Sequence, residues 1–189
     1  RGVTGALLSR RAFAGGALAA SAWPGRPAAT DRLAPFRRGV SIHNVLNWGE
    51  ARADGTGYRW PPFDTAQHRL KPGILDNVRR AGFDFIRLTV DPGVFLFFEG
   101  ARRDDLDARL LGEVRALLSR GFGVIVDLHP TSQIAAYAPE KITEATDSPL
   151  FRAYGGVVAR TARRLAPLSR GRAGVAPMNE QQEGWDAGP

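Results

Sequence analysis

Near the end of the chain the apolar run Val175-Ala176-Pro177-Met178 closes on the pair Asn179-Glu180. A carboxylic acid at the end of a buried strand can act as a general acid or base, because shielding from water raises its pKa toward the working range. The amide beside it can hold a substrate hydroxyl. Three upstream runs end in a similar way. GVSIH closes on His43-Asn44, FDFIRLTV carries Arg87 and closes on Asp91, and VIVDL carries Asp127 and closes on His129. An Arg inside an apolar strand is costly without a partner, and Asp127 or Glu180 could be that partner. Hydrolysis by carboxylates commonly needs two of them flanking the scissile bond. Glu183 and Asp186 follow Glu180 closely, but all three would share one loop, with no spacing that aims them at one another across a substrate.

The elements that must position these groups alternate in type. Strand-length apolar runs at 39–43, 83–90, 124–128 and 174–178 are separated by helical patterns. Residues 73–81 put Ile74, Val78 and Ala81 on one side, and 105–120 repeat Leu106, Leu110, Val114 and Leu117 at spacings of three and four. Gly82 and Gly121 stand where those helices should stop. Ser148-Pro149 reads as an N-cap followed by Pro in the first turn, opening a helix over 150–165. Strand–helix repetition predicts an α/β fold with a parallel sheet and helices outside it. Functional side chains of such sheets collect at the carboxyl ends of the strands. Four consecutive units would therefore gather His43, Arg87, His129, Asn179 and Glu180 at one mouth. The aromatic residues Trp48, Tyr58, Trp60 and Trp185 fall in predicted loops above it.

Bulk properties narrow the classes. The 189 residues suit one domain, and 43% hydrophobic with 24% charged content is ordinary for a globular chain. There is no cysteine, so disulfides and thiolate metal sites are excluded. His43, His68 and His129 lack zinc-ligand spacing. The net charge of +7 would fit nucleic-acid binding, but the arginines are scattered and no basic stripe is interleaved with aromatics, so nucleic acid is not the expected partner. No Gly-rich phosphate loop follows a strand, which argues against a nucleotide-binding doubly wound fold.

The leader is read separately. Ser9-Arg10-Arg11-Ala12-Phe13, a mildly apolar run to Ala20, and the small residues Ala20-Ser21-Ala22 follow the order of an export signal. The stretch resembles bacterial twin-arginine leaders, which implies a signal peptide over 1–22, a Pro-containing linker over 23–35, and a periplasmic or extracellular destination. No transmembrane helix is expected.

From Arg38 to Glu180 the strand-end motifs resemble glycoside hydrolase family 5, the cellulase-type (β/α)8 glycosidases. Arg38-Gly39-Val40-Ser41-Ile42-His43 is similar to that family's first strand. Gly82-Phe83-Asp84-Phe85-Ile86-Arg87-Leu88 is similar to its second, Gly123-Val124-Ile125-Val126-Asp127-Leu128-His129 to its third, and Met178-Asn179-Glu180 to its fourth. The resemblance implies a TIM barrel, present as an incomplete barrel of about four β–α units over 36–189. It implies a retaining hydrolase acting on a β-glucan-like polysaccharide, with no cofactor and no metal. Glu180 would be the general acid/base. Asn179, His129, Arg87, His43, Trp48 and Trp185 would bind the oligo- or polysaccharide. Gln181 stands where the family has Pro. The family's nucleophilic Glu lies on a seventh strand, and a whole barrel needs about 250 residues, so that group is expected beyond this sequence. A non-catalytic carbohydrate-binding protein on a half-barrel scaffold is the alternative.

Overall fold

The computed structural model describes residues 36–168 and 171–179. The expected signal peptide and linker, together with Glu180 and Trp185, lie outside the described residues. The elements run β1 (Gly39–Leu46), α1 (Pro72–Arg80), β2 (Phe85–Val90), α2 (Pro92–Phe97), α3 (Gly100–Ser119), β3 (Gly123–Leu128), α4 (Pro139–Thr143), α5 (Pro149–Leu165) and β4 (Ala173–Ala176). The four strands form one parallel sheet in the order β1-β2-β3-β4. Each strand lies beside its predecessor. A doubly wound sheet reverses its strand order at a switch point, whereas a barrel adds each unit next to the last. The chain therefore has the α/β fold of the (β/α) barrel type, in about four units.

The period of two along each strand separates two faces. Ile86, Leu88 and Val90 of β2, with Val124, Val126 and Leu128 of β3, are all 0% exposed and form the centre of the core. Helix α3 adds Leu106, Leu110, Val114 and Leu117, and α5 adds Tyr154, Val157 and Leu165. Fully burying one such aliphatic side chain stabilises the fold by about 1.5–3 kcal/mol. The other face carries Arg87, Thr89, Ile125 and Asp127, in register as Arg87 beside Ile125 and Thr89 beside Asp127. At the amino end of this face Phe36 and Phe85 meet edge to face at 5.3 Å. Glycines leave them room: a Cβ on Gly39 would fall 2.1 Å from the Phe85 ring, and one on Gly123 would fall 2.7 Å from Phe36.

Helix ends follow the sequence signals closely. Gly82 (φ 84°) and Gly121 (φ 82°) take the left-handed conformation just past α1 and α3. Gly82 N–H donates to Arg79 O at 3.0 Å and Phe83 N–H to Val78 O at 3.3 Å. Gly121 N–H donates to Leu118 O at 3.0 Å and Phe122 N–H to Leu117 O at 3.3 Å. Both are Schellman closures, which satisfy otherwise orphaned carbonyls and turn the chain into the next strand. Ser148 Oγ accepts from Phe151 N–H at 3.0 Å, with Pro149 opening α5.

Three helices depart from the expected pattern. Helix α2 stands directly after β2, where Asp91 accepts from Gly93 N–H at 2.8 Å and Pro92 opens the first turn. Helix α4 occupies part of the expected loop before Ser148. Helix α3 begins five residues earlier than its apolar repeat. The polar residues of that first turn are engaged in tertiary bonds, Arg103 with Phe95 O and Asp104 with Arg160 on α5.

Candidate active site

Arg87 lies two residues before Thr89 on β2, and Asp127 is Thr89's neighbour on β3. The two charged residues are thus diagonal neighbours on one face, a separation that a long Arg side chain spans. Arg87 Nη2 lies 2.9 Å from Asp127 Oδ2, with Asp127 1% and Arg87 30% exposed at the side chain. The same oxygen faces His129 Nδ1 at 3.1 Å. Arg87 also donates to Asn179 Oδ1, and Asn179 N–H donates to Leu128 O at 3.0 Å, which continues the β3–β4 ladder past the strand end. A guanidinium only donates, so the Asn179 amide must turn its oxygen to Arg87 and keep its NH2 free to donate elsewhere.

His43 reaches the same cluster from β1. Its ring meets that of His129 edge to face, with centroids 5.9 Å apart and planes at 86°. An irregularity in β1 accompanies this approach. Ile42 pairs with Leu88, and the next aligned pair is Leu46 with Val90, so two extra residues of β1 bulge between them. Bulges of this kind recur where a strand must re-aim a side chain. Thr89 braces the bulge, its hydroxyl lying 3.1 Å from Ile42 O and 3.2 Å from His43 O. His43 also borders a cleft of about 450 Å³ between β1 and the segment carrying Gln67, Leu70 and Leu75.

Trp48 follows β1 and is 52% exposed. Its backbone is left-handed, with φ 56°, a conformation that costs a bulky residue and persists only where neighbours impose it. The neighbours are buried Asn47, whose Oδ1 accepts from Trp48 N–H at 3.0 Å, and buried His68, whose Nε2 lies 3.3 Å from Trp48 O.

Tyr58 is buried rather than free over the mouth, whereas Trp60 stays 37% exposed. Tyr58 is 1% exposed and donates to Asp91 Oδ2 at 2.8 Å. Trp60 packs edge to face on Phe98 at 5.1 Å. Asp91 is likewise a buried cap, tied to Gly93 and Tyr58 rather than to the Arg87 cluster. Burial is the main cause that raises its pKa, to about 6. Burial first, then the Asp91 charge, pushes the Tyr58 phenol upward. Tyr154 donates to Pro177 O, and burial followed by the Asp127 charge keeps it protonated.

Of the sequence candidates, the structure brings together Arg87, His129, His43 and Asn179, with Asp127 at the centre. Trp48 stands at the end of β1, and Glu180 and Trp185 lie outside the described residues. Thr89 and Asn47 went unread as site residues. Only the tertiary register reveals them, although a Thr two residues beyond an in-strand Arg shares its face.

The arrangement is a parallel (β/α)-barrel sheet with polar groups at its carboxyl mouth. No protein-family profile matches the chain, and no curated protein does. Solved structures do match. A Bacteroides ovatus GH5 xyloglucanase in complex with a XXXG heptasaccharide superposes with a TM-score of 0.59 at 17% identity, over 82% of this chain and 33% of its own. A family 5 xyloglucanase from Paenibacillus pabuli gives 0.57 at 21% identity, over 77% and 39%. The tri-modular endo-β-1,4-glucanase B of Bacillus halodurans gives 0.56 at 12% identity, over 80% and 26%. These likenesses establish a shared fold, of the glycoside hydrolase family 5 type. This chain spans between about a quarter and two fifths of the length of those structures.

Proposed function

We propose that this chain is the N-terminal part of a retaining glycoside hydrolase that cleaves O-glycosidic bonds in a β-glucan-like polysaccharide. The observation that carries this reading is the arginine bridge. Arg87 holds buried Asp127 on one side and Asn179 Oδ1 on the other, at the carboxyl end of the sheet. Glu180 is the next residue along the chain. In this reading Glu180 protonates the leaving glycosidic oxygen, and a second carboxylate, about 5–5.5 Å from the first, attacks the anomeric carbon. That second group would come from a further strand, outside the sequence given. Glu180 then acts as base toward the water that releases the sugar. The free Asn179 NH2 would donate to a sugar hydroxyl, and Arg87 would place fixed positive charge beside the nucleophile and favour its ionised form. His43 and His129 would contact further hydroxyls, and Trp48 and Trp185 would stack on sugar faces. Fold neighbours bound to xyloglucan oligosaccharides support a glucan-type ligand.

The test is hydrolysis by the chain joined to the continuation of its reading frame. Reducing ends released from β-glucan or xyloglucan should fall by about 10²–10⁴-fold in Glu180→Gln, as loss of a general acid/base implies. A Gln variant as active as its parent overturns the assignment. Saccharide binding that survives this change, with no hydrolysis in any form, selects the non-catalytic carbohydrate-binding alternative.

A further inference from the structure

We propose that Asp127 is a positioning residue: its carboxylate holds His129 in the Nδ1–H form, so that Nε2 meets a ligand as a hydrogen-bond acceptor. Asp127 is 0% exposed at the end of β3. Its Oδ2 takes both contacts, Arg87 Nη2 at 2.9 Å and His129 Nδ1 at 3.1 Å. A carboxylate paired with a guanidinium can only accept, so the imidazole nitrogen facing it must carry a proton. In the neutral ring this leaves the lone pair on Nε2, at the far edge. An unconstrained imidazole prefers the opposite tautomer.

The details favour positioning over simple charge balance. A pair built for stability would use both carboxylate oxygens against the guanidinium fork. Here Asp127 Oδ1 is buried with no hydrogen-bond partner among the described residues, which is costly for an acceptor. Both donors crowd one oxygen instead, and the ring is fixed from a second side by the His43 contact at 5.9 Å. The His129 side chain is 25% exposed, so an edge of the ring remains open to solvent. An Nε2 acceptor takes the O–H of a hydroxyl. It gives no neutral hydrogen bond to a carboxylate or phosphate oxygen, which can only accept. This ligand clause rests on the glycan reading proposed above, whereas the tautomer does not.

The measurement is the long-range proton–nitrogen spectrum of the isotope-labelled full chain, recorded with pH raised until the spectrum shows the neutral ring. His129 is assigned by loss of its signals in His129→Gln. The expected spectrum shows Nδ1 protonated and Nε2 bare. In Asp127→Val, similar in size and free of acceptors, the ring should move toward the Nε2–H form. A parent ring already in the Nε2–H form overturns the proposal, and so does a folded Val variant that keeps Nδ1–H. If the Val variant does not fold, the parent spectrum alone decides. Titration with a xyloglucan heptasaccharide supplies the second arm, and folded Asp127→Val should bind it about tenfold more weakly, the loss of one hydrogen bond to ligand. An Nδ1–H ring in a protein that binds no saccharide, alone or joined to its continuation, sustains the positioning role and overturns the glycan reading.

Discussion

Asp91 should make the fold less stable at neutral pH than at mildly acidic pH, and Asp91→Asn should remove that dependence. The carboxyl is 1% exposed, accepts from Tyr58 Oη and Gly93 N–H, and has its pKa raised from 3.8 to about 6, chiefly by burial. The folded state therefore binds this proton more tightly than the unfolded chain. Below about pH 4 both states are protonated and nothing is lost. As pH rises through about 6 the folded state must carry a buried charge, and stability falls until the group is ionised in both states. At roughly 1.4 kcal/mol per tenfold change in proton affinity, the rise corresponds to about 3 kcal/mol lost by about pH 7. Asn imitates the neutral acid. Its oxygen can accept from Gly93 N–H and its NH2 can donate to Tyr58 Oη, which also accepts. Asn is also a good N-cap. Urea unfolding of both proteins at several pH values gives the difference directly, and carboxylates common to both cancel. The Asn variant should gain about 2–3 kcal/mol on its parent between about pH 4 and about pH 7. A difference that is flat with pH, or that favours Asp as pH rises, would refute the reasoning.

Two further outcomes follow from the helices. Asp107→Ala should cost about 3 kcal/mol in denaturant unfolding, the low end for removing one partner of a buried pair. Asp107 is 3% exposed and joins Arg103 to Arg160 and Arg164, but the two α5 arginines can turn to water. Gly121→Ala should lose about 1 kcal/mol, because φ 82° is unfavourable for a residue with a Cβ. Gly112→Ala within α3, where a new Cβ meets nothing within 4 Å, should gain about 1 kcal/mol. Equal signs for the two glycines in thermal or chemical unfolding would break the argument.

How much of this was legible in the sequence depends on how local each signal is. Gly82, Gly121 and Ser148 mark helix ends through backbone chemistry a few residues long, and the structure uses each as expected. Helix α2 is six residues, too short for an apolar period to show, although Asp91-Pro92 is a cap signal. The first turn of α3 carries no apolar repeat and rests on partners in α2 and α5, which no local window contains. Tyr58 reads as a loop aromatic, yet it is buried because Asp91, 33 residues away, accepts its hydroxyl. The strand-end residues were legible as a set because parallel strand–helix repetition delivers them to one end. That Asp127 could partner Arg87 was legible from the cost of a lone Arg. The bulge at 43–45 and its brace by Thr89 depend on register and were not.

That register is the last link between stability and site. In β2 and β3 alternate residues serve opposite purposes, with Val124, Val126 and Leu128 under the helices and Asp127 at the mouth. A slip of one residue between these strands would exchange the faces. Asp127 would enter the apolar layer without Arg87, and Val126 would take its place in the polar cluster. An unpaired buried carboxylate is among the most expensive defects a core can hold. The polar pair thus opposes the same error that the aliphatic face opposes, from the other side of the sheet. The groups proposed to handle a ligand therefore also help fix the strand register that brings them together.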